Sequence, residues 1–246
     1  MVYSDFTLAA LAALLVGMSK GGLPSISMLS VPLLSLVMSP VQAAAMLLPI
    51  FVISDVAGVY LYRRDYSVVN LRLLVPAGIL GVVLGWLTAS LVSDRAITFR
   101  IGAMGVSFCL NTWLRKQTRL VARPAQALKG WFWGALAGFT SFISHSGAPP
   151  FQVYMLPQKL PRAEFAGTAT ILFAVINAAK IWPYQALRPY STDTMMKAAV
   201  LVPFALVGAL FGAWLTRRIA DLWFYRIVQL SLFLVSIKLL IDALHG

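Results

Sequence analysis

Two interrupted segments carry most of the polar chemistry of an otherwise apolar chain: Gly17-Met-Ser-Lys-Gly-Gly-Leu-Pro-Ser25 and Ser141-Phe-Ile-Ser-His-Ser-Gly-Ala-Pro-Pro150. The first offers Ser19, Lys20, Ser25 and Ser27 beside Gly21 and Gly22; the second offers Ser141, Ser144, His145 and Ser146 beside Gly147. Hydroxyls, an ammonium and an imidazole form an anion-binding set. Helix starts at Pro24 and Pro149 would add free N–H groups and the positive helix end at each gap. The plainer reading is that glycines and prolines let short helices pack closely in a buried hairpin. Polar residues in both copies favour the site.

The elements that position these residues must be membrane helices. Of 246 residues, 60% are hydrophobic and only 11% charged, too few polar groups to cover a soluble domain. Stretches such as 71–92 and 224–244 approach or exceed the roughly 20 apolar residues that cross a hydrocarbon core. One embedded domain, 1–246, is expected. The net charge of +12 is scattered through short loops and forms no continuous face for nucleic acid. The first apolar run follows Asp5, with no cationic region before it and no obvious cleavage site, so it reads as a mature segment. Cys109, the single cysteine, reads as an inert buried thiol. No second His or Cys stands at ligand spacing, so neither a metal nor a cofactor is expected.

Apolar runs at 6–18, 25–38, 41–62, 71–92 and 97–114 are followed by runs at 130–143, 148–158, 164–186, 198–216 and 224–244. Val75-Pro76 with Gly81 and Gly85 answers Val202-Pro203 with Gly208 and Gly212, and Asp55, Gly58 and Tyr62 answer Asn177, Lys180 and Tyr184. The expected fold is all-α: a polytopic membrane protein with two inverted structural repeats, about 6–118 and about 128–246. Each would hold a broken or re-entrant helix hairpin plus three spanning helices. If each hairpin starts and ends on one side, thirteen of the loop cations share a side, among them Arg63, Arg115, Lys116, Arg119, Arg123, Lys159 and Arg217. Five, including Arg95 and Arg188, lie opposite. That split satisfies the positive-inside rule with both termini outside.

Ionisable groups inside spans are costly and face a cavity or a partner. Lys180 shares a helical face with Asn177 and Tyr184, although it could snorkel past Pro183. Thr168 and Thr170 precede it on the same run and could simply bond their own backbone. Asp55 is the only carboxylate well inside a span. Helix rise displaces it from the middle of the membrane in the opposite sense to Lys180, which argues against a direct pair. Asp55 and His145 are the candidates for carrying a coupled proton. The expected substrate-binding set is Ser19, Lys20, Gly21, Gly22, Ser25, Ser27, Ser144, His145, Ser146, Gly147, Thr168, Asn177 and Lys180.

The ordered motifs Gly17-Met-Ser-Lys-Gly-Gly-Leu, Val31-Pro32-Leu, Ser144-His-Ser-Gly-Ala-Pro-Pro150, Tyr154-Met-Leu-Pro-Gln158 and Gly167-Thr168 leading to Asn177, Lys180 and Tyr184 resemble the sulfite exporter TauE/SafE family, also called the toluene-sulfonate uptake permease group. The resemblance covers both halves. It implies transport of small sulfur-containing or organic anions, such as sulfite, sulfoacetate, other sulfonates or thiosulfate, across a bacterial inner membrane. Direction does not carry over, because members both export and import. Partners would be the small anion and the lipid bilayer, with homodimerisation left open. The competing classes are an anion channel and, with less support, a membrane enzyme or a scaffold.

Overall fold

The computed structural model describes residues 3–34, 36–38, 40–88, 94–114, 122–187 and 192–245. Arg115, Lys116, Arg119 and Arg188, which entered the charge split, lie outside them. All regular structure among the described residues is helical, as expected where backbone groups must pair within their own segment. The helices are α1 (Tyr3–Lys20), α2 (Ser30–Leu34), α3 (Pro40–Leu61), α4 (Val68–Thr88), α5 (Asp94–Leu114), α6 (Ala127–Ser144), α7 (Ala148–Met155), α8 (Arg162–Leu187), α9 (Thr192–Arg218) and α10 (Asp221–His245). Four stretches among the described residues, Val68–Thr88, Arg162–Ala186, Thr194–Arg218 and Asp221–Leu244, are long and apolar enough to cross a membrane.

Both expected interruptions are present, between α1 and α2 and between α6 and α7. They differ in form. The expected helix start at Pro149 agrees with α7, where the two prolines occupy its second and third positions. No α-helix begins at Pro24. A single 3-10 turn, Ile26–Leu29, leads into the five-residue α2, so the first break lacks the ordered stack of N–H groups that a longer helix would present.

The chain divides into two units, neither of which is one half of the sequence. The first comprises residues 1–67 and 162–219; the second, 68–161 and 220–246. In the first unit α9 packs along α1 and against α3, and α3 also packs on α8. Its core is built from small and branched residues, including Ala9, Ala12, Ala13 and Val16 of α1 against Leu47 and Ile50 of α3 and Leu201 and Ala205 of α9. In the second unit α4 packs along α6, α5 packs along α10, and α7 lies against α5, α6 and α10. Asn70 and Gln158 exchange side-chain hydrogen bonds of 2.9 and 3.1 Å there, linking α4 to the turn after α7.

The closest helix approaches rest on glycine, and they correspond across the two units. A Cβ on Gly81 would lie 2.0 Å from the Ala135 carbonyl oxygen and 2.7 Å from the Phe139 nitrogen. One on Gly208 would lie 2.2 Å from the Leu14 oxygen and 3.1 Å from the Met18 nitrogen. Likewise Gly138 abuts the Gly78 carbonyl as Gly17 abuts that of Ala205. Within apolar solvent helices gain little from hydrophobic segregation, so backbone proximity through small residues is what holds them together.

This packing separates two alanine substitutions. In Gly138→Ala the new methyl would meet backbone at 1.9 Å, and thermal unfolding of the purified protein should show a loss of about 1–3 kcal/mol. In Gly105→Ala the nearest obstacle is the Ser236 hydroxyl, which can rotate, with the Ser236 Cβ behind it at 2.9 Å, so the loss should be smaller than in Gly138→Ala.

Candidate functional site

The first unit encloses its charge. Among its described residues the buried charged side chains are Lys20, Asp55 and Lys180, exposed by 4%, 5% and 0%. Lys20 Nζ stands 2.7 Å from Asp55 Oδ1, and the other carboxylate oxygen accepts a 2.7 Å hydrogen bond from Asn177 Nδ2. Lys20 also lies 5.0 Å from the centre of the Phe51 ring. Lys180, one turn beyond Asn177 on α8, is within electrostatic reach of both Lys20 and Asp55. Asp55 thus pairs with Lys20 of the first break.

Local geometry brings these groups together. α1 ends at Lys20, and Gly22 follows with φ +112°, a conformation costly for any residue with a side chain. The carbonyl of Gly21 is then held by the hydroxyls of Tyr62, at 2.6 Å, and Thr216, at 2.9 Å. The carbonyl of Lys20 accepts from Thr170 at 3.0 Å. Gly58, one turn after Asp55, lets α3 close on α1, since a Cβ there would lie 2.6 Å from a Thr170 methyl and 3.0 Å from Lys20 Cβ. Three helices are therefore fixed around one ammonium.

The hydroxyls divide by role. Ser19 donates to the Val16 carbonyl at 2.7 Å and Ser27 to that of Pro24 at 3.1 Å, which leaves their oxygens as acceptors. Thr168 is used twice, donating to Glu164 and accepting from the Ser67 N–H, so its hydroxyl anchors the loop before α4 to α8. Ser25 is 1% exposed and its hydroxyl has no hydrogen-bond partner.

In the second unit His145 caps α6 in the left-handed region, φ 52° and ψ 23°, with its N–H bonded to the Ser141 carbonyl. A non-glycine residue pays about 1–2 kcal/mol for that conformation. The following Ser146 and Gly147 are buried, and Ser146 N–H closes onto Thr140. The backbone of Ser144 ends α6, but its side chain lies outside the described set.

Sequence reasoning missed Gln152. It sits one turn into α7, fully buried, with neither amide atom hydrogen-bonded. An orphaned buried amide is rare enough to require an explanation. The signal was available as a lone glutamine in an apolar helix directly after Pro149-Pro150.

A buried cluster of two lysines and one aspartate, ringed by hydroxyl and amide groups, can hold an anion. No cluster of metal-ligating side chains occurs among the described residues. Searches of the curated proteins and of the solved structures returned no match. The family model described as sulfite exporter TauE/SafE matches residues 9–239, nearly the whole length and both units. The chain, a multi-pass helical membrane protein with a buried cationic cluster, belongs to the sulfite exporter TauE/SafE transporter family.

Proposed function

We propose that the protein is a secondary carrier of small sulfur-containing or organic anions, with sulfite, sulfoacetate, other sulfonates and thiosulfate as the candidate substrates, in a bacterial inner membrane. The observation that carries this reading is the buried polar cluster of the first unit, in which Lys20 pairs with Asp55 and Asn177 holds the other carboxylate oxygen, with Lys180 buried on the same helix as Asn177. Burying an ion is expensive unless an opposite charge and hydrogen bonds compensate it. A bound oxyanion beside these lysines would accept charge-assisted hydrogen bonds from them. Ser25 and Asn177 then offer neutral contacts that fix its orientation. Two inverted repeats would let such a site open alternately to the two sides, and the matched glycine contacts of α1 with α9 and of α6 with α4 support descent from a duplication. An anion channel would use the same chemistry, and single-channel currents from reconstituted protein would identify it.

Calorimetric titration of purified protein with sulfite, thiosulfate, sulfoacetate and plain carboxylates tests the reading. Removing the ammonium alone, in Lys20→Met, strands the Asp55 carboxylate and should destabilise the protein by about 3–5 kcal/mol as well as abolish anion binding. The double variant Lys20→Met with Asp55→Asn removes both charges, so stability should return while binding stays lost. Binding that returns together with stability would show Lys20 to be structural only.

Proton coupling through His145 is the further element of this proposal. His145→Gly suits the left-handed cap better than the native residue, so stability should hold or rise by about 1–2 kcal/mol. If His145 carries the proton, anion flux in proteoliposomes with an imposed pH gradient should lose its gradient dependence in this variant. Flux in the native protein that ignores the gradient would remove coupling altogether.

A further inference from the structure

Within the second unit, the ends of α5, α7 and α10 enclose a cavity of roughly 620 Å³. Its polar lining includes Arg123, Lys159, Asn111 in the last turn of α5, and Gln229 of α10. The remaining wall is apolar, with Phe108, Leu156 and Leu222 among its residues. One carboxylate, Asp221, also lines it, at the first turn of α10, where the helix N-terminus compensates negative charge. Two cations face one acid.

Three features point to an amphiphilic ligand. The volume is that of a pocket for a drug-sized molecule, far more than a bare oxyanion fills. The cavity runs from the helix ends toward Gln229, about 12 Å along α10 from Asp221 at about 1.5 Å per residue, and it meets apolar side chains on the way. Its level in the bilayer is marked by Trp113 and Trp223, 43% and 57% exposed near the same ends of α5 and α10, as aromatic residues mark the headgroup region. Its wall is also fixed in place. The Tyr225 hydroxyl donates to the Leu160 carbonyl and the Arg123 N–H to that of Pro157, so the loop after α7 is tied on two sides.

We propose that this cavity binds an anionic phospholipid, the headgroup phosphate lying between Arg123 and Lys159 and an acyl chain along Phe108, Leu156 and Leu222. Basic pockets among helix ends at the membrane surface suit such headgroups, because the phosphate is held in place while the chains remain in the bilayer. The site is independent of the buried lysines of the first unit.

The test is native mass spectrometry and thermal unfolding of the full-length protein, delipidated in detergent and then supplied with phosphatidylglycerol, with phosphatidylcholine of the same chains, or with glycerol phosphate. Phosphatidylglycerol should add one retained lipid and raise the melting temperature by several degrees; phosphatidylcholine and glycerol phosphate should do neither. The variant Arg123→Gln with Lys159→Gln should lose both effects. Phe108→Trp, which narrows the apolar end and leaves the cations in place, should weaken lipid retention. Equal effects of the two lipids, retention by the double variant, or a full shift with glycerol phosphate alone would each overturn the assignment.

Discussion

A charge cannot be left alone in a medium of low dielectric constant, and the ion pair of Lys20 with Asp55 is how the first unit meets that constraint. The pair dictates its surroundings. Lys20 must end α1 at the right depth, and Gly22, in a conformation that glycine tolerates, turns the chain there. α3 must approach closely enough for its carboxylate to reach, which Gly58 permits. The hydroxyls of Tyr62 and Thr216 secure the backbone carbonyl that the turn would otherwise strand. Asn177 donates to the remaining carboxylate oxygen and so sets the rotation of α8, the helix that also carries the buried Lys180.

The same packing solution is used twice in the chain, yet the chemistry placed on it differs. With Gly17 answering Gly138, Lys20 falls opposite Ser141, and Ser25 opposite Ser146. The small residues that bring helices together recur at matched positions, because backbone proximity is a requirement of both units. The ammonium occurs in one copy and the left-handed histidine in the other. Asp55 and Asn177, counterparts in the two halves, meet directly by a hydrogen bond within the first unit. The same close helix pairing thus carries different polar side chains in the two units.

Much of this was legible in the sequence. Glycine and proline clusters between apolar runs reported both breaks, since such residues disfavour an unbroken helix, and matched glycines reported the close helix pairs. Lys180 and Asp55 stand out as ionisable groups too costly to bury without purpose, Lys20 as the ammonium of an anion-binding break, and Asn177 as a neighbour of Lys180 on one helical face. Their partners were harder to read. Helix rise argued against an Asp55–Lys180 pair, but nothing in a one-dimensional pattern says that the end of α1 approaches α3 at Asp55. The α-helix expected at Pro24 failed for a local reason: the residues after it form a 3-10 turn before a short helix containing Pro32, whose ring and missing N–H oppose extension. Gln152 was passed over because a single amide in an apolar run gives no pattern, and its significance emerges only from complete burial without a hydrogen-bond partner.

The central claim is that the buried lysines of the first unit, Lys180 included, hold a bound anion. Lys180→Met removes that charge, keeps the Lys20–Asp55 pair, and replaces a fully buried ammonium by an apolar side chain of similar length. Titration calorimetry with sulfite, thiosulfate and sulfoacetate should show affinity for the preferred anion reduced at least about tenfold, equivalent to about 1.4 kcal/mol, in protein that remains folded. Unchanged affinity in a folded Lys180→Met protein, or no binding of any of these anions by the native chain, would contradict the account.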